Sequence, residues 1–299
     1  MAQRDFLGYG GAPPHPRWPN DARIAVSFVV NFEEGAELTV SGGDAKNESA
    51  YEVTAEVVGA PDLCMESHFE YATRAGYWRV MEAFDRYGVK ATVSACGRAV
   101  EVSPWLAKDA AARGHEVSCH GWRWIPHCHL REDEERTAIA STVAAIARAT
   151  GVRPVGWHTR SAPSANTRRL LVEEGGFLYD SDAYNDDLPY FVDVAGRRHL
   201  VIPYAFDTND MRFQAGAERF KLGDDFARYV ADAFDRLWSE GARAPRMMSV
   251  GLHLRTMGRP GRIGGLERVL RHMGEQGGVW FARRRDIAEH WIARFGAAG

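Results

Sequence analysis

Cysteine is scarce in this 299-residue chain: Cys64, Cys96, Cys119 and Cys128 are irregularly spaced, and none forms a Cys-x-x-Cys pair. That pattern argues against a disulfide framework and against a thiolate zinc site, and it fits reduced thiols in the cytoplasm. Long apolar runs are missing too. Nothing approaches the ~20 residues that cross a bilayer, so no membrane role is expected. Met1-Ala2-Gln3-Arg4-Asp5-Phe6 lacks the basic-then-apolar pattern of a secretory leader, and a cytoplasmic location is the expectation. Neither sign of charge is in excess. Lys and Arg total 37 against 40 Asp and Glu, for a net charge of −3. No basic field therefore recommends nucleic acid as a partner. Repeats, low-complexity tracts and interdomain linkers are absent as well.

What is present is alternation. Pro13, Pro14, Pro16 and Pro19 with Tyr9 and Trp18 read as an extended arm over residues 1–22. Arg23 to Phe32 is apolar and β-branched, as a strand buried on both faces should be. The stretch Gly35 to Cys64 is a long loop, of a length that suggests a cover for a site or a subunit contact. Ser67 and Glu70 form a capping box ahead of a helix that Gly88 ends. Strands are predicted at 89–95, up to His120, 154–157, 177–179, 200–202, 247–252 and 279–282. Helices are predicted from Ser103-Pro104 to Gly114 and over 131–150, 166–174, 224–240, 265–275 and 286–295. The pattern is a single α/β domain over residues 23–295.

Several of these strands end on polar residues. Ile24 to Val30 runs into Asn31-Phe32-Glu33-Glu34-Gly35, Glu116 to Cys119 into His120-Gly121, and Pro154 to Trp157 into His158-Thr159-Arg160. Phe177 to Tyr179 leads to Asp180-Ser181-Asp182, and Met247 to Leu252 to His253. Polar groups at the C-terminal ends of successive buried strands are how a (β/α) barrel builds an active site. Glu33 and Glu34 would point apart on a strand, but Gly35 lets the chain turn so that one faces a pocket. His127 and His129 follow His120 closely, yet Pro126 and the acidic helix start place them on a surface loop. After His253, Arg255, Arg259 and Arg262 make a loop suited to an anionic group or to acidic residues of another subunit. Asp207-Thr208-Asn209-Asp210 either orients His253 or the substrate, or forms an Asx turn.

Long motifs in one order carry a family resemblance across nearly the whole chain. They are Pro13-Pro14-His15-Pro16-Arg17-Trp18-Pro19, Val30-Asn31-Phe32-Glu33-Glu34-Gly35 and His120-Gly121-Trp122-Arg123-Trp124-Ile125. To these are added Glu174 to Asp182, Asp207 to Phe213 and Ser249-Val250-Gly251-Leu252-His253. The set resembles the polysaccharide deacetylase superfamily, in its allantoinase-like branch that opens cyclic ureides. The resemblance implies a single-domain distorted (β/α) barrel of about seven strands. It also implies an oligomer.

The departures are as informative as the matches. Deacetylases of the superfamily carry an Asp-Asp pair and a His-x-x-x-His metal pair, which here are replaced by Glu33-Glu34 and by His120 with Trp124. Trp124 cannot bind a divalent ion, and the allantoinase-like branch, which shows the same loss, is regarded as metal-free. By the same resemblance Glu33 matches the general base, Glu34 the metal-binding acid, His120 the surviving metal histidine and His253 the general acid. Where allantoinases have Tyr-Thr-Gly-Arg, this chain reads His158-Thr159-Arg160-Ser161 after Trp157. That change makes a cyclic imide or another ring amide an alternative substrate to allantoin.

The expected chemistry is hydrolysis of a ring amide. Glu33 is assigned as base and His253 as acid, with Arg160 or His120 stabilising the oxyanion. Replacing Asp by Glu adds about 1.5 Å of reach, enough to bring a carboxylate to the water. His120, Trp124, Trp157, His158, Arg160, Asp210 and Arg259 are assigned to substrate binding, with Glu33, Glu34 and His253 as catalytic. No cofactor is expected. Zinc is kept as an alternative on Glu34, His120 and His158, and a metal-dependent polysaccharide N-deacetylase as the competing activity.

Overall fold

The computed structural model describes residues 4–49, 56–214 and 219–296; parts of the expected arm (1–3) and of the long loop (50–55) lie outside them. Nine strands form one sheet: β1 (Ile24–Phe32), β2 (Thr92–Ala95), β3 (Glu116–Cys119), β4 (Gly156–Trp157), β5 (Tyr179–Asp180), β6 (Tyr190–Val194), β7 (Arg197–Val201), β8 (Arg246–His253) and β9 (Val279–Phe281). Their order is β6-β7-β5-β4-β3-β2-β1-β8, with β9 also on β1. All pairs are parallel except the β6–β7 hairpin, which alternation of strands and helices does not predict. The result is a single-domain α/β fold whose sheet curls into a half-barrel.

β1 is the hub. Its residues Ile24–Asn31 pair with β8, while β9 takes Ile24–Val26 and β2 takes Val29–Phe32. Every residue of β1 is buried, as its composition predicts, but its two faces differ. Ile24, Val26, Phe28, Val30 and Phe32 enter the main apolar core with Val80, Phe84, Leu252 and Leu266. The opposite face is small and polar: Ser27 pairs in register with Ser249, Asn31 with Ser94, and Thr92 with Glu116. A second core seals the lower end, where Trp18 of the arm packs with its ring centroid 5.7 Å from Trp280 and 5.9 Å from Trp291.

The seam between β7 and β8 closes without a ladder. The backbone N–H of Gly251 donates to Thr208 O at 3.0 Å, and Asn209 forms an isolated bridge with Gly251. A side chain at Gly251 would come within 2.4 Å of the Tyr204 hydroxyl, so only glycine allows this approach. Inside the seam, the fully buried Arg284 donates to Ser181 Oγ and Ser249 Oγ at 2.8 Å and to the carbonyls of Ile202 and Pro203. Its hydrogen bonds answer the cost of burying a charge.

Two helix readings need correction. The helix expected to start at Ser67 starts at Leu63, because the Asp62 carboxylate caps it by accepting the Met65 N–H at 3.0 Å. That helical run continues through a π-turn at Ala72–Gly76 into Tyr77–Tyr87. A Cβ at Gly76 would lie 2.3 Å from Leu254 O, so the turn lets the backbone after β8 approach closely. A further helix, Gly97–Val102, follows β2 where a plain connection to Ser103 was expected.

Candidate active site

Sheet register assembles the site. Asn31 stands beside His253 across β1 and β8, and Phe32, Ala95, Cys119, Trp157 and Asp180 form one row across β1 to β5. The next residues along three of those strands are Glu33, His120 and His158. Side chains alternate along a strand, so Asn31, Glu33, His120, His158 and His253 all emerge on the interior side. They line one cavity of about 150 Å³ together with Trp124, Arg160, Tyr204 and Asn209.

Glu33 is the meeting point. One carboxylate oxygen, Oε1, lies 3.3 Å from His120 Nε2 and 3.4 Å from His253 Nε2. The other, Oε2, lies 2.7 Å from Arg255 NH1. Burial alone would raise this carboxyl, but the charges of Arg255 and His253 and the imidazole hydrogen bonds hold it well below the ordinary carboxylate range. His253 is braced from behind by Asp210, whose Oδ1 is 2.6 Å from Nδ1 and whose Oδ2 accepts the His253 backbone N–H at 2.8 Å. Burial works against its imidazolium, yet the carboxylates of Glu33 and Asp210 push its pKa up to about 9. The site thus holds a carboxylate and a charged imidazole in contact.

The other expected site residues divide sharply. His120 donates from Nδ1 to His158 O at 2.7 Å, which fixes its ring. Trp124 does line the cavity, and its ring centroid lies 3.5 Å from the Arg160 guanidinium carbon and 4.8 Å from that of Arg255. Arg160 is engaged in a two-pronged pair with Glu48, both contacts 2.8 Å, and it donates to Trp124 O. Its charge is thereby answered from the long loop. Asp210 holds His253 rather than a ligand.

Four placements are corrections. Glu34 sits behind Glu33 and does not line the cavity: Oε2 accepts the Glu33 N–H at 3.1 Å and Oε1 takes Arg255 NH1 at 3.1 Å. Burial, with Glu33 adding, raises its carboxyl against the pull of Arg255. Trp157 is fully buried in the core, edge-on to Phe177, with its indole N–H donated to Thr159 Oγ1 at 2.9 Å. Arg259 stacks 3.6 Å from the Tyr71 ring and donates to Arg255 O and His68 Nδ1, away from the cavity. His127, expected on a surface loop, is buried with Nδ1 3.0 Å from Glu135 Oε1, because a buried carboxylate from the following helix draws it inward.

The alternative zinc set does not fit either. Both oxygens of Glu34 are engaged by nitrogen donors, and one of those donors, Arg255, also pairs with Glu33, so a cation already stands between the two carboxylates. Among the described residues, no group of three or more His, Cys, Asp or Glu is placed to hold a metal ion. Residue patterns missed Arg255, Asn31 and Tyr204. Arg255 is one of several arginines in its loop, and its position two residues after His253 was the only available signal.

Residues 60–177 match the model of the polysaccharide deacetylase family. A putative polysaccharide deacetylase of Schizosaccharomyces pombe is 39% identical, with 97% of each chain covered. The crystal structure of a probable polysaccharide deacetylase from Pseudomonas aeruginosa superposes with a TM-score of 0.93 at 47% identity, covering 98% of each chain. That of the Puue allantoinase gives a TM-score of 0.94 at 45% identity over 99% of each. Among the described residues, no helix is long and apolar enough to cross a membrane. With its curled parallel sheet, its strand-end site and these full-length similarities, the chain belongs to the polysaccharide deacetylase family.

Proposed function

We propose that this protein is a metal-independent hydrolase of cyclic amide C–N bonds, with allantoin as the first candidate substrate and cyclic imides as the second. The observation that carries this reading is the contact of Glu33 Oε1 with His253 Nε2, 3.4 Å apart, at the wall of a small, partly open cavity of about 150 Å³. A small ring suits that volume, whereas a glycan polymer needs an open groove. The full-length likeness to the Puue allantoinase supports the same class.

In the proposed reaction, Glu33 takes a proton from water as its oxygen adds to the ring carbonyl. The developing oxyanion lies beside His120. His253, already charged, gives its Nε2 proton to the ring nitrogen as the C–N bond breaks. Glu33 then holds the proton taken from water and His253 has lost one. Transfer across the 3.4 Å between them restores both, so the net change is water added across one bond.

The test offers purified protein allantoin, succinimide, dihydrouracil and an acetylated chito-oligomer, with and without chelator. Opening of a ring substrate that persists in chelator is the expected result. Activity on the chito-oligomer alone would overturn the proposal.

A further inference from the structure

Two residues that line the cavity each carry one buried side-chain polar atom without a hydrogen-bond partner among the described residues: Asn31 Oδ1 and His158 Nδ1. Asn31 is 1% exposed and His158 6%. A group this deep is costly to leave unsatisfied unless something arrives to pair with it. Their orientations are fixed by what the rest of each side chain does. The Asn31 amide nitrogen donates to Leu252 O at 3.1 Å and faces the Tyr204 hydroxyl at 3.2 Å. A carbonyl oxygen can only accept, so the nitrogen must lie on that side and Oδ1 on the other.

His158 is held between aromatic neighbours, its ring centroid 4.5 Å from Tyr204 and 5.0 Å from His120. Its Nε2 lies 3.3 Å from the Tyr184 hydroxyl, which is itself 3.2 Å from Ser161 Oγ. Assigning Ser161 as the donor to Tyr184, and Tyr184 as the donor to Nε2, puts the proton of the neutral ring on Nδ1. The cavity then presents one fixed acceptor and one fixed donor.

Resting on the ring-amide reading above, we infer that Asn31 and His158 select rings whose N–H lies between two carbonyls, as in imides and hydantoins. Asn31 Oδ1 accepts that N–H, and His158 Nδ1–H donates to the carbonyl that is not attacked. The register supports this placement, since Asn31 and His253 are direct neighbours across β1 and β8. A nitrogen held by Asn31 is therefore beside the imidazole that must protonate it. The attacked carbonyl falls toward Glu33 and His120.

The experiment compares hydantoin and succinimide with their analogues methylated on the flanked nitrogen, using the wild-type enzyme. Methylation removes the donor and leaves the carbonyls in place, so kcat/KM should fall at least ~100-fold for whichever parent is opened. A methylated ring opened within about threefold of its parent overturns the inference and leaves the ring-amide reading intact. A protein that opens no ring at all, allantoin and dihydrouracil included, removes both. His158→Phe keeps the ring contacts and removes the donor. It should raise KM on the parent by ~10-fold or more with kcat largely kept, and an unchanged KM would strike out the His158 half.

Discussion

Glu33 Oε1 and His253 Nε2 lie 3.4 Å apart in a buried site, the first on the turn after β1 and the second at the end of β8. Each stabilises the charged form of the other, so the resting state already has the base deprotonated and the acid protonated. Glu33→Gln removes the proton acceptor and His253→Gln the proton donor. Each should lower kcat by about 10²–10⁴-fold in steady-state assays on the best ring substrate. Near-normal turnover in either would refute the assignment.

Activity should follow a bell with its alkaline limb near pH 9, where His253 loses its proton, and its acid limb well below the ordinary carboxylate range. Asp210→Asn withdraws one of the two carboxylates that raise His253. The alkaline limb should move down, with the loss in kcat/KM larger at pH 8.5 than at pH 6, by about tenfold. A limb that stays at pH 9 would show that Asp210 does not set it.

Stability carries the same sign. The folded-state pKa of His253 is raised from 6.5 to about 9. Its contribution is present in full below the unfolded value and is lost as pH rises through 9. Urea unfolding of the wild type should show a falling midpoint over that window. His253→Gln should flatten the dependence.

Arg255 is fully buried, with its guanidinium against both carboxylates and 4.5 Å from the Phe69 ring centroid. Arg255→Met removes the guanidinium that stands between the two acids and leaves Glu34 without its charged partner, which should cost about 3–5 kcal/mol in chemical denaturation. Arg255→Lys restores the charge without the planar fork, and should recover part of that loss.

Glu48 and Arg160 decide what charge the cavity accepts. With Arg160 paired to Glu48, its guanidinium is not available to a ligand carboxylate, so rings bearing a carboxylate should bind poorly. Glu48→Gln frees the guanidinium. It should lower KM for a carboxylated ring by about tenfold while leaving neutral rings within a fewfold, read from paired kinetics.

Much of this site is legible because strand ends are legible. Glu33, His120, His158 and His253 each follow an apolar run, and parallel register carries them to one side of the sheet. Asn31 was hidden because it is inside β1, where a lone polar residue looks like part of the motif rather than a wall of the cavity. Trp157 misled for the converse reason: it sits at a strand end, but alternation turns it into the core. Arg255 required knowledge of the backbone, since only the close approach of Gly76 to Leu254 O fixes where its short helix lies. Of the β6–β7 hairpin only the end of β7 was legible, because β6 is partly exposed along its length.

Arg284 gives the molecule an unusual dependence on its last helix. Glu33 and His253 stand on one bank of the seam and His158 on the other, and this guanidinium grips Ser249 on the first and Ser181, Ile202 and Pro203 on the second. The two banks are thus tied together by a residue outside the cavity lining, supplied by the helix Arg284–Phe295. Distance from the cavity is no measure of influence on it.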